Sequence, residues 1–338
     1  LHKELAVITS KELAKLAGVS QSTVSRALND SPLISDDVKR KIKELAKTHR
    51  FEMNSQAKSL RTRRTDTIGI LFPRFFMNLS TNLYFTHMYD SLQRELSQYD
   101  YDLLVVYDAK HKDHLSPLEK VVRRKKVDGI ILVKSDLTGE ELDVLDRSTI
   151  PYVSIFCDDF LPKGNAQYAI NTFDGAVLAG EYFSKFTEHV PLFFGSLMDS
   201  KDSMNRLHGF QKGLGTSDDI ESVVCDMSVP AAYGAVMSNA SLFQRKRAVY
   251  VYNDMMAFGM LMALKDLRIS VPNQVQLISN DDIPLAGWAK PQLSTLRFPT
   301  KPLIEIACRR LVREIVSGTL EKENTALSPE LILRGTTL

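Results

Sequence analysis

From residue 67 onward, short apolar runs alternate with longer stretches of helical character. TIGILF, DLLVVYD, DGIILVK and PYVSIF come first, and after YAIN the series resumes with PLFFGS, SVVCDMS, AVYVYND and VQLIS. Near-continuous apolar strands, rather than alternating ones, are buried on both faces. That requires parallel sheets with helical crossovers above and below. Ten or so such units are too many for one compact sheet, so the pattern predicts two sequential α/β lobes of similar size, each doubly wound. The chain of 338 residues has room for them, and 44% hydrophobic with 25% charged residues is an ordinary globular composition.

The first 64 residues do not share this pattern. They carry 14 Lys/Arg against 7 Asp/Glu, whereas the rest carries 29 against 34. A basic head on an acidic body points to a polyanion-binding module. TSKE fits a capping box with Thr9 as N-cap and Glu12 at N3. Leu13, Leu16 and Ala17 follow at helical spacing, and Gly18 suits a left-handed helix end. Ser20 caps a second helix in which Val24, Ala27 and Leu28 face one way and Gln21, Ser22, Ser25 and Arg26 the other. Ser35, Asp36 and Asp37 open a third helix with Val38, Ile42, Leu45 and Ala46 as its stripe. This is a helix-turn-helix unit whose second helix presents short polar side chains suited to base edges in a major groove. In NSQAKSLRTRRTD two readings stand. One is a short helix capped by Asn54, bearing Ala57 and Leu60, that folds when two copies meet on DNA, with Leu60 wedged into the minor groove and Arg61, Arg63 and Arg64 on phosphate. The other is a plain basic linker.

In open α/β sheets, ligands bind beyond the carboxyl ends of the strands. Phe72, Asp108, Phe156, Asp158, Ser196, Asn253, Asp254, Asp281 and Asp282 stand there, giving a cleft rimmed by rings and carboxylates suited to a sugar or nucleoside. Each Asp or Asn has an equal claim as a cap of the following helix. The sequence contains no GxxxxGK[ST], GxSxG or HExxH motif and no Cys/His cluster, so no enzyme, metal or cofactor is expected. GLG at 213–215 lacks a third glycine and reads as a helix-ending turn. Cys157, Cys225 and Cys308 show no ligand spacing and read as buried, reduced thiols. With no signal peptide or ~20-residue apolar span, a cytoplasmic, nucleoid-associated protein is expected.

ITSKELAKLAGVSQSTVSRALN, SLRTRRTDTIGIL, VYNDMMAFGML and DDIPLAGWAKPQLSTL, in that order, resemble the lactose/galactose-repressor (LacI/GalR) family of bacterial regulators. The resemblance implies a small all-α helix-turn-helix head (1–53), a hinge helix and linker (54–65) and a periplasmic-binding-protein-like α/β sensor. Its N-terminal lobe would comprise 66–165 and 292–325, and its C-terminal lobe 166–291 and 326–338. It implies a dimer on a pseudo-palindromic DNA operator, with tetramers left open, although no heptad tail ends the chain. It also implies a small, sugar-like effector acting as inducer or co-repressor. Gln21, Ser22 and Arg26 match the base-reading face and Leu60 the hinge leucine. Thr9, Ser10, Ser20, Thr23, Ser25, Asn29, Asn54, Ala57 and Arg61 complete the expected DNA-contacting set. Arg206 matches the effector-clamping arginine, and Asn253 and Asp281 match polar contacts. Phe72, Tyr84, Phe85 and Trp288 match variable aromatic positions, and Phe156 and Asp158 join them from the strand-end reading. The chain departs from the family pattern at Ser279 and Asn280, in the apolar segment PRFFMNLSTNLYF, and in EHVPLFFGS.

Overall fold

The computed structural model describes residues 8–51, 64–72, 83–107, 115–133, 137–155, 166–196, 201–319 and 323–338. The chain divides into two compact units, Leu1–Thr65 and Asp66–Leu338.

In the head, α1 (Ser10–Ala17), α2 (Gln21–Leu28) and α3 (Asp36–Thr48) enclose Leu13, Ala14, Ala17, Val24, Ala27, Ile42 and Ala46. The predicted capping box is present: Glu12 N–H donates to Thr9 Oγ1 at 3.3 Å, and Thr9 N–H donates to the Glu12 carboxylate at 2.8 Å. Gly18 ends α1 at φ +73°, a conformation that costs glycine little, and its N–H reaches the Ala14 and Lys15 carbonyls. Two expectations need correcting. Leu16 is exposed, because the stripe centres on Leu13, Ala14 and Ala17 and position 16 points about 100° away from it. Ser35 occupies the N-cap of α3 but makes no side-chain cap bond.

The second unit holds two six-stranded sheets, and its strands and helices form in the predicted alternation. β1 (Thr67–Phe72), α4 (Leu83–Ser97), β2 (Asp102–Tyr107), α5 (Pro117–Arg123), β3 (Gly129–Leu132), α6 (Gly139–Arg147), β4 (Tyr152–Ile155) and β5 (Ala166–Ile170) build the first lobe. α7 (Thr172–Phe183), β6 (Val190–Ser196), α8 (Lys201–Leu214), β7 (Ser222–Cys225), α9 (Val229–Ser238), β8 (Arg247–Val251), α10 (Asp254–Asp266), β9 (Val275–Asp281) and β10 (Ser294–Arg297) build the second. The chain then returns with α11 (Thr300–Ser317) and β11 (Asn324–Leu327) and ends with β12 (Glu330–Ile332). The sheet orders are β11-β5-β4-β3-β1-β2 and β12-β10-β9-β8-β6-β7. All pairings are parallel except β10–β12. Each lobe therefore reverses strand order beside its first strand, the doubly wound arrangement that opens a ligand crevice at the strands' carboxyl ends.

Sheet membership moves the expected lobe boundaries. β5 pairs with β4, so the first crossing follows Ile170 rather than 165. β10 pairs with β9, so the second follows Arg297 rather than 291, and the third falls between β11 and β12. The reason is pairing: AQYAI and STLR are strands that complete sheets already begun, whereas the expected bounds assigned AQYAI to the C-terminal lobe and STLR to the N-terminal one.

α7 and α8 approach closely because glycines line the contact. A Cβ on Gly209 or Gly180 would stand 2.4 Å from the Phe173 or Phe210 carbonyl oxygen, respectively. GLG does end a helix: α8 stops at Leu214, and Gly215 follows at φ +71°. Cys225 and Cys308 are buried free thiols, while Cys157 lies outside the described residues. No helix among the described residues is long and apolar enough to cross a membrane.

Candidate functional sites

Helix α2 buries Val24 and Ala27 and turns Gln21, Ser22 and Arg26 outward. Ser20 caps it, its Oγ accepting from Thr23 N–H at 3.1 Å and lying 2.7 Å from Ser22 Oγ and 2.8 Å from Thr23 Oγ1. Gln21 Nε2 donates to Ser10 Oγ at 2.6 Å, which ties the start of α2 to α1 and fixes the direction of the amide. Asn29 caps the far end, its Nδ2 donating to the Ser25 carbonyl. No carboxylate among the described residues pairs with Arg26. The expected contacts Ser20, Gln21, Ser22, Thr23, Ser25, Arg26 and Asn29 thus lie on α2 and its caps, while Thr9 and Ser10 open α1, with Ser10 tied to Gln21. Asn54, Ala57, Leu60 and Arg61 lie outside the described residues.

In the second unit the polar groups converge on Arg206. Asp202 and Arg206 sit one turn apart on α8 and pair at 2.8 Å, both side chains almost wholly buried. Arg206 Nη1 also donates to the Tyr252 carbonyl, and its guanidinium lies 4.2 Å from the Tyr252 ring centre and 5.4 Å from that of Phe298. Tyr252 Oη donates to Asp202 Oδ2 at 2.8 Å, so one tyrosine holds both members of the pair. Asn280 Nδ2 fixes that strand end through the Val251 and Tyr252 carbonyls, at 2.9 and 3.1 Å. Burial works against the Arg206 charge, but the neighbouring Asp202 carboxylate and Tyr252 more than offset it and hold its pKa above the ordinary value. Two atoms of the pair have no partner among the described residues: Asp202 Oδ1, an acceptor, and Arg206 Nε, a donor. Each such buried, unmade hydrogen bond costs roughly 1–3 kcal/mol.

The first lobe supplies rings. Tyr84 meets Phe298 edge-on at 6.0 Å and Phe85 at 5.3 Å, and its hydroxyl lies 3.1 Å from Thr300 Oγ1. Phe72 stacks on Tyr107 and meets the edge of Phe85. Burial raises the Tyr84 pKa, and the charge of Asp281 raises it further, which keeps the phenol a hydrogen-bond donor.

Asp281 ends β9 at φ +109°, a conformation rare outside glycine and one that gathers at functional sites. The surroundings hold it there. Asp282 pairs with Arg297 and Arg334, each at 2.7 Å. Asp254 Oδ2 accepts Ile283 N–H at 2.9 Å. Asp254 Oδ1 accepts the hydroxyls of Ser279 and Thr295, which gives the unusual Ser279 a structural role. Burial pushes the Asp254 carboxyl up to about 7 against those three donors. Burial and the charge of Asp254 also raise Asp281 well above the ordinary carboxylate range, with Arg206 opposing.

The expected cleft residues therefore divide. Phe72, Tyr84, Phe85, Arg206 and Asp281 belong to one connected neighbourhood. Asn253 is the N-cap of α10, its side chain accepting Met256 N–H at 2.9 Å, so the capping reading holds there. Trp288 ends a short 3-10 turn, is 73% exposed and joins no ring cluster among the described residues. Phe156 and Asp158 lie outside the described residues. Sequence reasoning missed Asp202, Tyr252, Phe298 and Thr300. The i, i+4 spacing of Asp202 to Arg206 was a usable signal, whereas Phe298 and Thr300 reach the site only through the chain crossing.

A family model described as bacterial regulatory proteins, lacI family, matches residues 9–54, and one described as periplasmic binding protein-like domain matches 192–337. The HTH-type transcriptional repressor PurR of Vibrio atlanticus is 28% identical over 97% of this chain and 98% of its own length. The ribose operon repressor of Escherichia coli K12 is 29% identical over 97% and 99%. The structure of a lac repressor dimer bound to operator and the anti-inducer ONPF matches with a TM-score of 0.81 at 20% identity, covering 98% of this chain and 99% of that one. Together with the three-helix head and the twin doubly wound lobes, these matches place the chain in the LacI family of bacterial regulatory proteins.

Proposed function

We propose that the protein represses transcription as a dimer on a pseudo-palindromic operator, reading each half-site with α2, and that a small sugar-like effector in the cleft between its lobes sets operator affinity. The carrying observation is the two-sided character of α2. Val24 and Ala27 anchor it in the head, while Gln21, Ser22 and Arg26 project from a face free of large apolar groups. Gln and Arg there have the donors and acceptors to read adenine and guanine edges. The neighbourhood of Arg206, Asp281 and Tyr84 offers hydrogen-bonding groups beside ring faces, the combination that suits a hydroxylated ligand. Two relatives are by name the transcriptional repressor PurR and the ribose operon repressor, and the matching lac repressor structure is a dimer bound to operator.

The test is to incubate the full chain with sheared DNA from its source and sequence what it retains. Enrichment of fragments sharing a near-palindrome, lost in Arg26→Ala, bears the reading out. Uniform, salt-sensitive retention in both proteins defeats it.

A further inference from the structure

The buried pair on α8 is incompletely satisfied in a chemically informative way. Arg206 spends Nη2 on Asp202 and Nη1 on the Tyr252 carbonyl, leaving Nε as an unused donor. Asp202 spends Oδ2 on Arg206 and Tyr252, leaving Oδ1 as an unused acceptor. The pair thus keeps one donor and one acceptor unused. We propose that Asp202 is itself an effector contact, and that by neutralising Arg206 it restricts the cleft to uncharged hydroxyl-bearing ligands and rejects phosphorylated or carboxylated ones. This rests on the reading of the cleft as the effector site.

A hydroxyl fits both loose atoms, donating to Asp202 Oδ1 and accepting from Arg206 Nε, and so does a pair of adjacent hydroxyls. A carboxylate or phosphate dianion only accepts. It satisfies Nε and sets its charge against Oδ1. The charge balance points the same way. The Arg206 cation is matched by the Asp202 carboxylate at 2.8 Å. Arg297 at the end of β10 and Arg334 just beyond β12 are engaged by Asp282, and Arg297 by Glu330 as well. With these three cations already matched by carboxylates, an anion at the pair loses its hydration with little in return from them. The rings of Tyr252, Phe298 and Tyr84 beside the pair offer apolar faces to the carbon skeleton of a polyol.

The experiment uses the full chain and inorganic phosphate as the probe, with melting temperature followed at constant ionic strength against chloride. The basic head contributes equally to every variant, so differences between variants report on the cleft. Asp202→Asn is expected to gain saturable stabilisation by phosphate, and Asp202→Asn/Arg206→Gln to lose it again. The wild type is expected to show no Arg206-dependent response. Phosphate binding by the wild type that Arg206→Gln abolishes, or a folded Asp202→Asn that gains none, overturns the proposal. A second measurement needs no variant. Calorimetry of the wild type compares D-ribose with D-ribose 5-phosphate and D-glucose with D-glucose 6-phosphate. A parent sugar preferred by about tenfold or more supports the assignment, and an ester that binds tighter than its parent overturns it. If Arg206→Gln instead leaves every small-molecule response and operator release unchanged, the cleft itself is not the effector site, and the underlying reading fails along with the preference.

Discussion

Alanine at Gly213 tests how the clamp-bearing helix is held. A Cβ there would stand 2.1 Å from the Val177 carbonyl oxygen, whereas ordinary van der Waals contact begins at 3.4 Å. The obstruction is backbone, so no rotamer change relieves it, and α7 and α8 must separate by about 1.3 Å, the difference between those distances. Overpacking of this kind costs roughly 1–3 kcal/mol. At roughly 2–4 °C per kcal/mol for a unit of this size, the sensor transition should fall by ~2–12 °C. Gly234, on the exposed face of α9, has nothing within 4 Å of its virtual Cβ. Gly234→Ala should therefore raise the transition, since alanine is better in a helix interior by roughly 0.5–1 kcal/mol. Differential scanning calorimetry of the two variants and the wild type reads both signs at once. Asp202 and Arg206 lie two to three turns before Gly213 on the same helix, so Gly213→Ala should weaken effector binding as well. A Gly213→Ala protein that melts at or above the wild type would refute the packing argument.

Ser20→Ala removes the cap of α2 and should cost the head roughly 0.5–2 kcal/mol, seen as earlier melting of the isolated-head signal and weaker operator binding with unchanged effector affinity. Tyr252→Phe deletes one donor to Asp202 while keeping the ring over Arg206. Its expected effect is a stability loss of roughly 1–3 kcal/mol and weaker effector binding, and unchanged values for both would remove Tyr252 from the clamp. Asp254 gives a pH dependence. Its folded carboxyl titrates near 7 against an ordinary 3.8, so between those values the folded chain holds a proton that the unfolded chain has lost. Stability from this group is complete below the lower value and is lost as pH rises through the upper one. Melting temperature should fall across that window, and Asp254→Asn should flatten the slope; an identical slope in both proteins would sink the assignment.

What the sequence disclosed followed from periodicity and local chemistry. The capping box at Thr9, the glycine at 18 and the polar face of α2 each depend on contacts within a dozen residues, and all three formed as expected. The apolar runs likewise marked their strands, because burial on both faces leaves a continuous signature. The lobe boundaries were harder. AQYAI and STLR become strands only by pairing with neighbours in sheets already built, and no local signal says which sheet will take them. The site shows the same division. Arg206 was visible through its motif, but its partners Tyr252 and Phe298 come from other elements. The equal claims of capping and binding at Asn253 needed the Met256 hydrogen bond to separate them.

The second crossing also explains why the clamp can communicate between lobes. Phe298 lies just beyond β10 of the second sheet, and Thr300 begins α11, which packs against α4 and the strands of the first. Within these three residues the ring of Phe298 faces Arg206 of the second lobe and Tyr84 of the first, while Thr300 Oγ1 holds the Tyr84 hydroxyl. A change in lobe angle therefore cannot preserve all of these contacts, since one side moves with α8 and the other with α4. A ligand seated against Arg206 and Tyr84 senses that angle directly. It shifts the equilibrium between lobe arrangements only by the difference in its contacts with each, so hydroxyls satisfying Asp202 Oδ1 and Arg206 Nε in one arrangement alone would supply the bias.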